Sequence, residues 1–233
     1  MANYLIVGAG RGIGLASAQL LSQNHQVYAI SRQSTPELAA LNLSFLEADT
    51  KDSSLDLKGF LPETLDGLVY CPGSITLKPF NRLTDDDFLL DFNQNVLGAI
   101  RVIQAALPAL RKAKQSSVVL FSTVAVQTGM PYHASIAVAK GGIEALVRSL
   151  AAEYVSAGIR FNAIAPSLTD TALASSLLAT PEKREALAKR NPMQRLGNPE
   201  EMARMTAFLL DRENSWINGQ VLALDGGLSS LRV

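Results

Sequence analysis

Six short apolar runs divide the chain, at residues 4–7, 26–30, 43–48, 66–70, 117–121 and 160–165. Each is too brief for a helix and reads as a strand. The run at 117–121 is nearly continuous in apolar residues, as a parallel strand covered on both faces requires. Between the runs, residues 15–21, 85–112 and 135–157 carry apolar positions at helical spacing. Asn198, Pro199, Glu200 and Glu201 start another helix, with a cap, a first-turn proline and acidic partners for the dipole. Strands alternating with helices predict an α/β fold, a doubly wound parallel sheet with helices on both faces.

Two of the helices carry more apolar surface than one sheet can cover. Residues 96–107 are apolar on more than one face, whereas a helix lying on a sheet needs a single stripe. The helix at 135–157 contains Gly141 and Gly142, and an interior glycine costs a helix about 1 kcal/mol relative to alanine. Close approach of a neighbouring backbone would justify both glycines. A symmetric homodimer or homotetramer built on these helices is the expectation.

Composition narrows the class. A chain of 233 residues with 48% hydrophobic content can bury a large core, and this length suits one α/β domain spanning 1–233 better than two. Lys plus Arg and Asp plus Glu both number 21, so zero net charge gives no reason to expect a nucleic-acid or membrane partner. The single cysteine, Cys71, cannot form an internal disulfide, and glycines interrupt the first apolar run before it could serve as a signal core or a span. A soluble, reducing, cytoplasmic setting is expected, and no metal site.

The candidate chemistry begins where the first strand meets Gly8, Gly10, Arg11, Gly12, Ile13 and Gly14, followed at once by a helix. Glycines there permit backbone torsions closed to other residues. They let a pyrophosphate reach the helix N-terminus, where free N–H groups and the positive dipole end favour an anion. The predicted ligand is a dinucleotide. The second strand ends at Ser31 and Arg32, where such folds meet the adenosine ribose. No carboxylate stands there to accept from a 2′-hydroxyl, and Arg32, Ser31 and Arg11 offer donors that suit a phosphate. NADP(H) is therefore expected over NAD(H).

Gly8, Gly12 and Gly14 fit G-x-x-x-G-x-G, a spacing that resembles the short-chain dehydrogenase/reductase family, although Val7 stands where that family usually has Thr. Further matches follow in the family's order as far as Gly227. Asp49 and Thr50 resemble its acidic end of the third strand, beside the adenine. Cys71, Pro72 and Gly73 occupy the place of Asn-Asn-Ala-Gly, of which only the glycine remains; Cys71 itself reads as a buried filler. Asn95 begins a stretch resembling the motif whose Asn holds a proton-relaying water. Ser122 and Thr123 end the fifth strand, at the mouth of the site. Pro166, Ser167, Leu168 and Thr171 resemble Pro-Gly-x-x-x-Thr at the nicotinamide end, with Ser167 in place of glycine. Residues 171–190 lie where the family carries a mobile substrate lid, and Trp216 to Gly227 resembles its final strand, the seventh here.

The resemblance implies a Rossmann-type sheet and oxidoreduction of a small-molecule carbonyl or alcohol. It also implies a site completed by Ser, Tyr and Lys. Lys140 is in place to bind the cofactor ribose, and Thr123 falls at the Ser position with Ser122 adjacent. Four residues before Lys140, where the resemblance calls for Tyr, stands Ile136, which has no titratable proton. Tyr132 and His133 are the nearest substitutes, but along a regular helix they lie about 12 and 10.5 Å from Lys140 in rise, so only a folded-back loop brings them into reach. Enoyl reductases of the superfamily place their Tyr where this chain has His133. Two function classes stay open: an NADP(H)-dependent oxidoreductase with an altered proton donor, and a catalytically impaired NADPH-binding sensor or scaffold.

Overall fold

Alternate residues of β1 (Asn3–Val7) divide the core in two: Leu5 and Val7 join one apolar cluster, Tyr4 and Ile6 the other. That period of two, apolar on both sides, belongs to a strand covered on both faces. In the computed structural model, which describes residues 1–232, β1 pairs in parallel with β2 (Gln26–Ser31) and with β4 (Gly67–Tyr70). β3 (Ser44–Glu47) lies beyond β2, while β5 (Ser116–Phe121), β6 (Ile159–Pro166) and β7 (Val221–Leu224) follow β4. The sheet has seven strands in the order β3-β2-β1-β4-β5-β6-β7, every pairing parallel. The chain reverses its direction of travel between β1 and β4, and the crevice at their carboxyl ends is where such sheets bind ligands.

The helices complete the layers. α1 (Gly12–Leu21) and α8 (Pro199–Leu210) pack together over the cluster of Tyr4 and Ile6, and α4 (Gly98–Lys112) and α6 (Ala134–Tyr154) cover the cluster of Leu5 and Val7. Four short helices lie in the connections: α2 (Pro36–Ala39), α3 (Asp85–Phe92), α5 (Ala125–Thr128) and α7 (Pro181–Ala188). α8 starts as its sequence dictates. Asn198 accepts from the Glu200 N–H at 2.8 Å, and Glu201 reaches back to the Asn198 N–H at 3.0 Å.

Two expectations change. Residues 85–112 do not form one regular helix: a π-helical turn, Asn93–Leu97, separates α3 from α4. The Tyr70 hydroxyl donates to the Gln94 carbonyl at 2.8 Å and exchanges a hydrogen bond with Thr50 at 3.0 Å. An intruding partner of this kind satisfies a carbonyl that the widened turn leaves out of the α ladder. Gly98 makes room for it, since a Cβ there would collide with the Tyr70 hydroxyl. The second change concerns Gly141 and Gly142. A Cβ on Gly142 would meet only the side chains of Val96 at 3.5 Å and Phe92 at 3.8 Å, and one on Gly141 only Val126 at 3.8 Å. Among the described residues outside the helix's own turns, no backbone approaches within 4 Å of either Cβ position, so packing among them does not require these glycines.

Candidate active site

The turn between β1 and α1 is shaped by its glycines. Gly8 has φ +82°, a left-handed conformation that L side chains rarely adopt, and its N–H donates to the Ile30 carbonyl at 2.7 Å. A Cβ on Gly14 would collide with the Gly8 carbonyl, so the first turn of α1 can press onto the end of β1 only with glycine there. Arg11, at the N-cap, makes no side-chain cap, and the first turn holds no acidic residue. The opening N–H groups of α1 therefore face outward without an intrahelical acceptor, a donor set suited to a pyrophosphate.

A cleft of about 510 Å³ runs past this turn. Gly8, Gly10, Arg11, Gly12, Ile13 and Gly14 line it at the base, and Ser31, Arg32, Asp49 and Thr50 line one end. Arg11 and Arg32 are exposed, and neither makes an ion pair with another described residue. Ser31 stays close to the glycine turn: its Oγ would lie 3.1 Å from a Cβ on Gly10. Among the described residues of the cleft wall beside the arginines, the carboxylate of Asp49 is engaged locally, accepting from the Lys51 N–H at 3.0 Å.

At the other end, Cys71, Pro72 and Gly73 continue the wall. Cys71 is half-buried on this wall, and desolvation pushes its thiol up to about 12. Gly73 is the floor of an open space. A Cβ there would lie 3.2 Å from Asn95 Oδ1, 3.8 Å from Lys140 Nζ and 3.9 Å from Leu173 Cδ2. Asn95 sits buried in the π-turn. Its Nδ2 donates to the Asp91 carbonyl at 2.8 Å and to Ser74 Oγ at 3.0 Å, and its Oδ1 has no partner among the described residues. Lys140, 9% exposed, donates to the Phe121 carbonyl at 2.7 Å. An ammonium has three N–H donors, so two remain uncommitted. Burial pushes Lys140 down to about 8, opposed in part by the negative charge of Asp91.

The remaining candidates separate. Ile136 is buried at 4% exposure on the same helix as Lys140. Ser122 is buried and its hydroxyl donates to Glu144 Oε1 at 2.7 Å, so its proton is committed away from any ligand. Thr123 is half-buried, and its Oγ1 accepts from the Ala125 N–H at 3.3 Å. Tyr132 does not line the cleft: it is 59% exposed with φ +70°, its carbonyl accepting from the Lys78 N–H at 3.2 Å. His133 precedes α6 as its N-cap, with its Nδ1 2.7 Å from the Pro131 carbonyl. The turn before α6 thus leads Tyr132 outward rather than folding it back.

Beyond β6, the chain returns to the glycine turn. Pro166 ends the strand, and its carbonyl accepts from the Val124 N–H at 3.2 Å. Ser167 donates to the Asp225 carbonyl at 3.1 Å, and the Leu168 carbonyl accepts from the Gly197 N–H at 3.0 Å. These three lie outside the lining of the cleft, whereas Thr171 lines it and packs 3.3 Å from the Cβ position of Gly12. Ala172 and Leu173 then cover the opening near Gly73. No cluster of three or more metal-ligating side chains occurs among the described residues, nor any helix long and apolar enough to cross a membrane.

Comparison with known proteins agrees with this architecture. Residues 8–229 match the family profile described as Enoyl-(Acyl carrier protein) reductase. A tropinone reductase homolog of Arabidopsis thaliana is 32% identical over 97% of this chain and 92% of its own length. The 3-oxoacyl-(acyl-carrier-protein) reductase of Chlamydia trachomatis is 29% identical over 97% of this chain and 96% of its own length. Among solved structures, a short chain dehydrogenase family protein from Francisella tularensis superposes with TM-score 0.90 at 25% identity, covering 99% of this chain and 100% of that one. ElxO with NADP bound superposes with TM-score 0.89 at 28% identity, covering 99% of each chain. The chain belongs to the short-chain dehydrogenase/reductase family. It is an oxidoreductase by that membership.

Within this short-chain dehydrogenase/reductase, several side chains near the cleft carry little signal in the sequence. Gln94 and Leu173 line it but read as ordinary helix and loop positions. Thr35 could have been found, because Thr35, Pro36 and Glu37 spell a helix start; its hydroxyl donates to the Gly10 carbonyl at 3.1 Å and braces the glycine turn. Asp91 could not. It is a fully buried carboxylate that accepts from Ser74 at 2.5 Å, from Thr76 at 3.2 Å and from Ser135 at 2.7 Å.

Proposed function

We propose that the protein is an NADP(H)-dependent oxidoreductase acting on a small-molecule carbonyl or alcohol, with a proton donor other than a phenol. The observation that carries this reading is one cleft that runs from exposed Arg11 and Arg32, past the uncapped start of α1, to Gly73, where the buried Asn95 Oδ1 and Lys140 Nζ stand behind the wall, 3.2 and 3.8 Å from the glycine's Cβ position. A bound nicotinamide supplies a hydride to a carbonyl carbon or takes one from an alcohol. Gly8, Gly10, Gly12, Ile13 and Gly14 hold the pyrophosphate; Arg11, Ser31 and Arg32 select a 2′-phosphate; Asp49 and Thr50 flank the adenosine. Cys71, Pro72, Gly73 and Thr171 shape the nicotinamide end, and Pro166, Ser167 and Leu168, outside the lining, lead the chain from β6 to Thr171.

Ile136 occupies the position at which the family's chemistry uses Tyr, so the proton on the substrate oxygen comes from another group. Of the candidates, Ser122 is spoken for by Glu144 and Tyr132 points away from the cleft. Thr123, Lys140 and a water on Asn95 remain. A second reading, a catalytically impaired NADPH-binding sensor or scaffold, is favoured by one observation, the buried apolar Ile136 beside Lys140. The two readings share cofactor binding and differ in turnover.

The same proposal makes 1–233 one functional unit, with residues 171–190 as a substrate lid. The Asp170–Arg184 ion pair, at 2.6 Å, ties α7 to the lid's start. The protein is assigned to the cytoplasm and to a homodimer or homotetramer through α4 and α6, where Val138 and Ala145 are exposed along α6. The test is NADPH binding by fluorescence alongside NADPH oxidation over a panel of small ketones and aldehydes. Binding with turnover is expected. Binding without turnover on any substrate selects the sensor, and absence of binding overturns both.

A further inference from the structure

Asp91 is fully buried, makes no ion pair with a described residue, and takes hydrogen bonds from three hydroxyls, those of Ser74, Thr76 and Ser135. Burying a carboxylate without a bonded cation is costly, and hydroxyl donors offset only part of that cost. What the carboxylate does for its neighbours follows from hydrogen-bond direction. An ionised carboxylate only accepts, so the one proton of Ser74 Oγ must point at Asp91 Oδ1, 2.5 Å away. Ser74 Oγ can then only accept from Asn95, and it does, from Nδ2 at 3.0 Å. The second Nδ2 proton goes to the Asp91 backbone carbonyl at 2.8 Å. Both amide protons are consumed on the Asp91 side, which leaves Oδ1 facing the space above Gly73, across from Lys140 Nζ.

We propose that Asp91 is a positioning residue for the end of the cleft beside Gly73: through Ser74, and together with its own backbone carbonyl, it holds the Asn95 amide with Oδ1 turned toward Gly73. The space above Gly73 is thereby bounded by one acceptor, Asn95 Oδ1, and one donor, Lys140 Nζ, an arrangement that holds a hydroxyl or a water in a single orientation. Asp91→Asn would present both donor and acceptor, Ser74 could then reverse, and the Asp91 backbone carbonyl would be the one fixed acceptor left to the Asn95 amide among these groups.

The groups around Asp91 are few. Ser135 comes from α6, and Ser74 and Thr76 from the segment after β4. One turn earlier on α3, Asp87 pairs with Lys78 at 2.6 Å, at the surface. The inference rests on Lys140 and Asn95 being site residues, as proposed above, but its test does not require turnover.

Hydrogen exchange of the Asn95 side-chain amide is read by NMR, the signal being assigned by its loss in Asn95→Ala. Asp91→Asn is expected to speed that exchange by about tenfold at most, the effect of losing one hydrogen bond. Ser74→Ala keeps the carboxylate and breaks the link, so the exchange should speed there too. An unchanged Asn95 exchange in Asp91→Asn overturns the proposal. If Asp91→Asn does not fold, an unchanged Asn95 exchange in Ser74→Ala does so. On any carbonyl that supports turnover, Asp91→Asn should lower kcat with KM unchanged. Failure of every carbonyl overturns the oxidoreductase reading and leaves the Asn95 exchange to decide Asp91.

Discussion

The Ser122 hydroxyl donates to Glu144 Oε1 at 2.7 Å, joining the end of β5 to the middle of α6 with both side chains buried. Ser122→Ala removes the donor and leaves a buried carboxylate oxygen without its bond, a loss of about 1–3 kcal/mol. The variant should unfold at lower urea concentration than wild type while keeping its turnover number. Thr123→Ala should behave in the opposite way, near-native in stability and slower in turnover. Equal stability of Ser122→Ala and wild type would show that this bond is not a structural tie.

Cofactor choice turns on the exposed arginines at the adenosine end. Arg32→Asp replaces a donor to the 2′-phosphate with a repelling carboxylate, and loss of a charge-assisted hydrogen bond should weaken NADPH by about 10- to 100-fold. NADH affinity should hold or improve, because a carboxylate can accept from a ribose hydroxyl. Fluorescence titration of both cofactors against both proteins checks it. Equal wild-type affinities would remove the basis for the NADP(H) assignment.

Lys140 should make stability depend on pH in an unusual direction. Burial holds its folded-state value near 8, below the 10.5 of an unperturbed lysine. Below pH 8 both states carry the proton, and the folded state bears the full cost of a buried ammonium. Between 8 and 10.5 only the unfolded state holds the proton, so stability rises with pH. Above 10.5 the cost is gone. Lys140→Met should therefore stabilise the protein at pH 7, by about 3 kcal/mol at most, with the gain shrinking toward pH 10. Urea unfolding of both proteins at the two pH values reads this directly. A variant no more stable than wild type at pH 7 would mean that the ammonium is better solvated than its burial implies.

The strands and the glycine turn were legible in the sequence because their signals are local. Residues 118–121 are apolar without interruption, and Gly14 stands where any side chain would hold α1 off the end of β1. The π-turn was not legible. A widened turn is produced by the Tyr70 hydroxyl reaching Gln94 from 24 residues away, and nothing between 93 and 97 differs from ordinary helix. Asp91 was hidden for a related reason: a carboxylate among Asp85, Asp86 and Asp87 reads as solvated helix, and only the fold brings Ser74, Thr76 and Ser135 around it. Ser122 and Thr123 could not be told apart until Glu144 was placed. What the sequence conceals is long-range polar pairing, which leaves no periodicity.

Ile136 offers the most direct test of how the site handles a proton. A tyrosine there would sit one helical turn before Lys140, close enough for the ammonium to favour phenolate and lower its pKa from about 10. A positioned general acid contributes about 10²- to 10⁴-fold in rate. Ile136 is only 4% exposed, so the larger ring must also be accommodated; overpacking of this kind costs about 1–3 kcal/mol, which a thermal melt will register. The expected outcome is a folded but less stable Ile136→Tyr with faster NADPH oxidation on small ketones and aldehydes. Its rate should follow a pH profile that the wild type lacks, because a new titrating phenol enters the site. Tyr132→Phe should leave the wild-type rate unchanged, as Tyr132 faces solvent. A folded Ile136→Tyr with no gain on any carbonyl would mean that the missing phenol is not what limits this site, and robust wild-type turnover lost in Tyr132→Phe would mean that the exposed loop closes over the cofactor in solution.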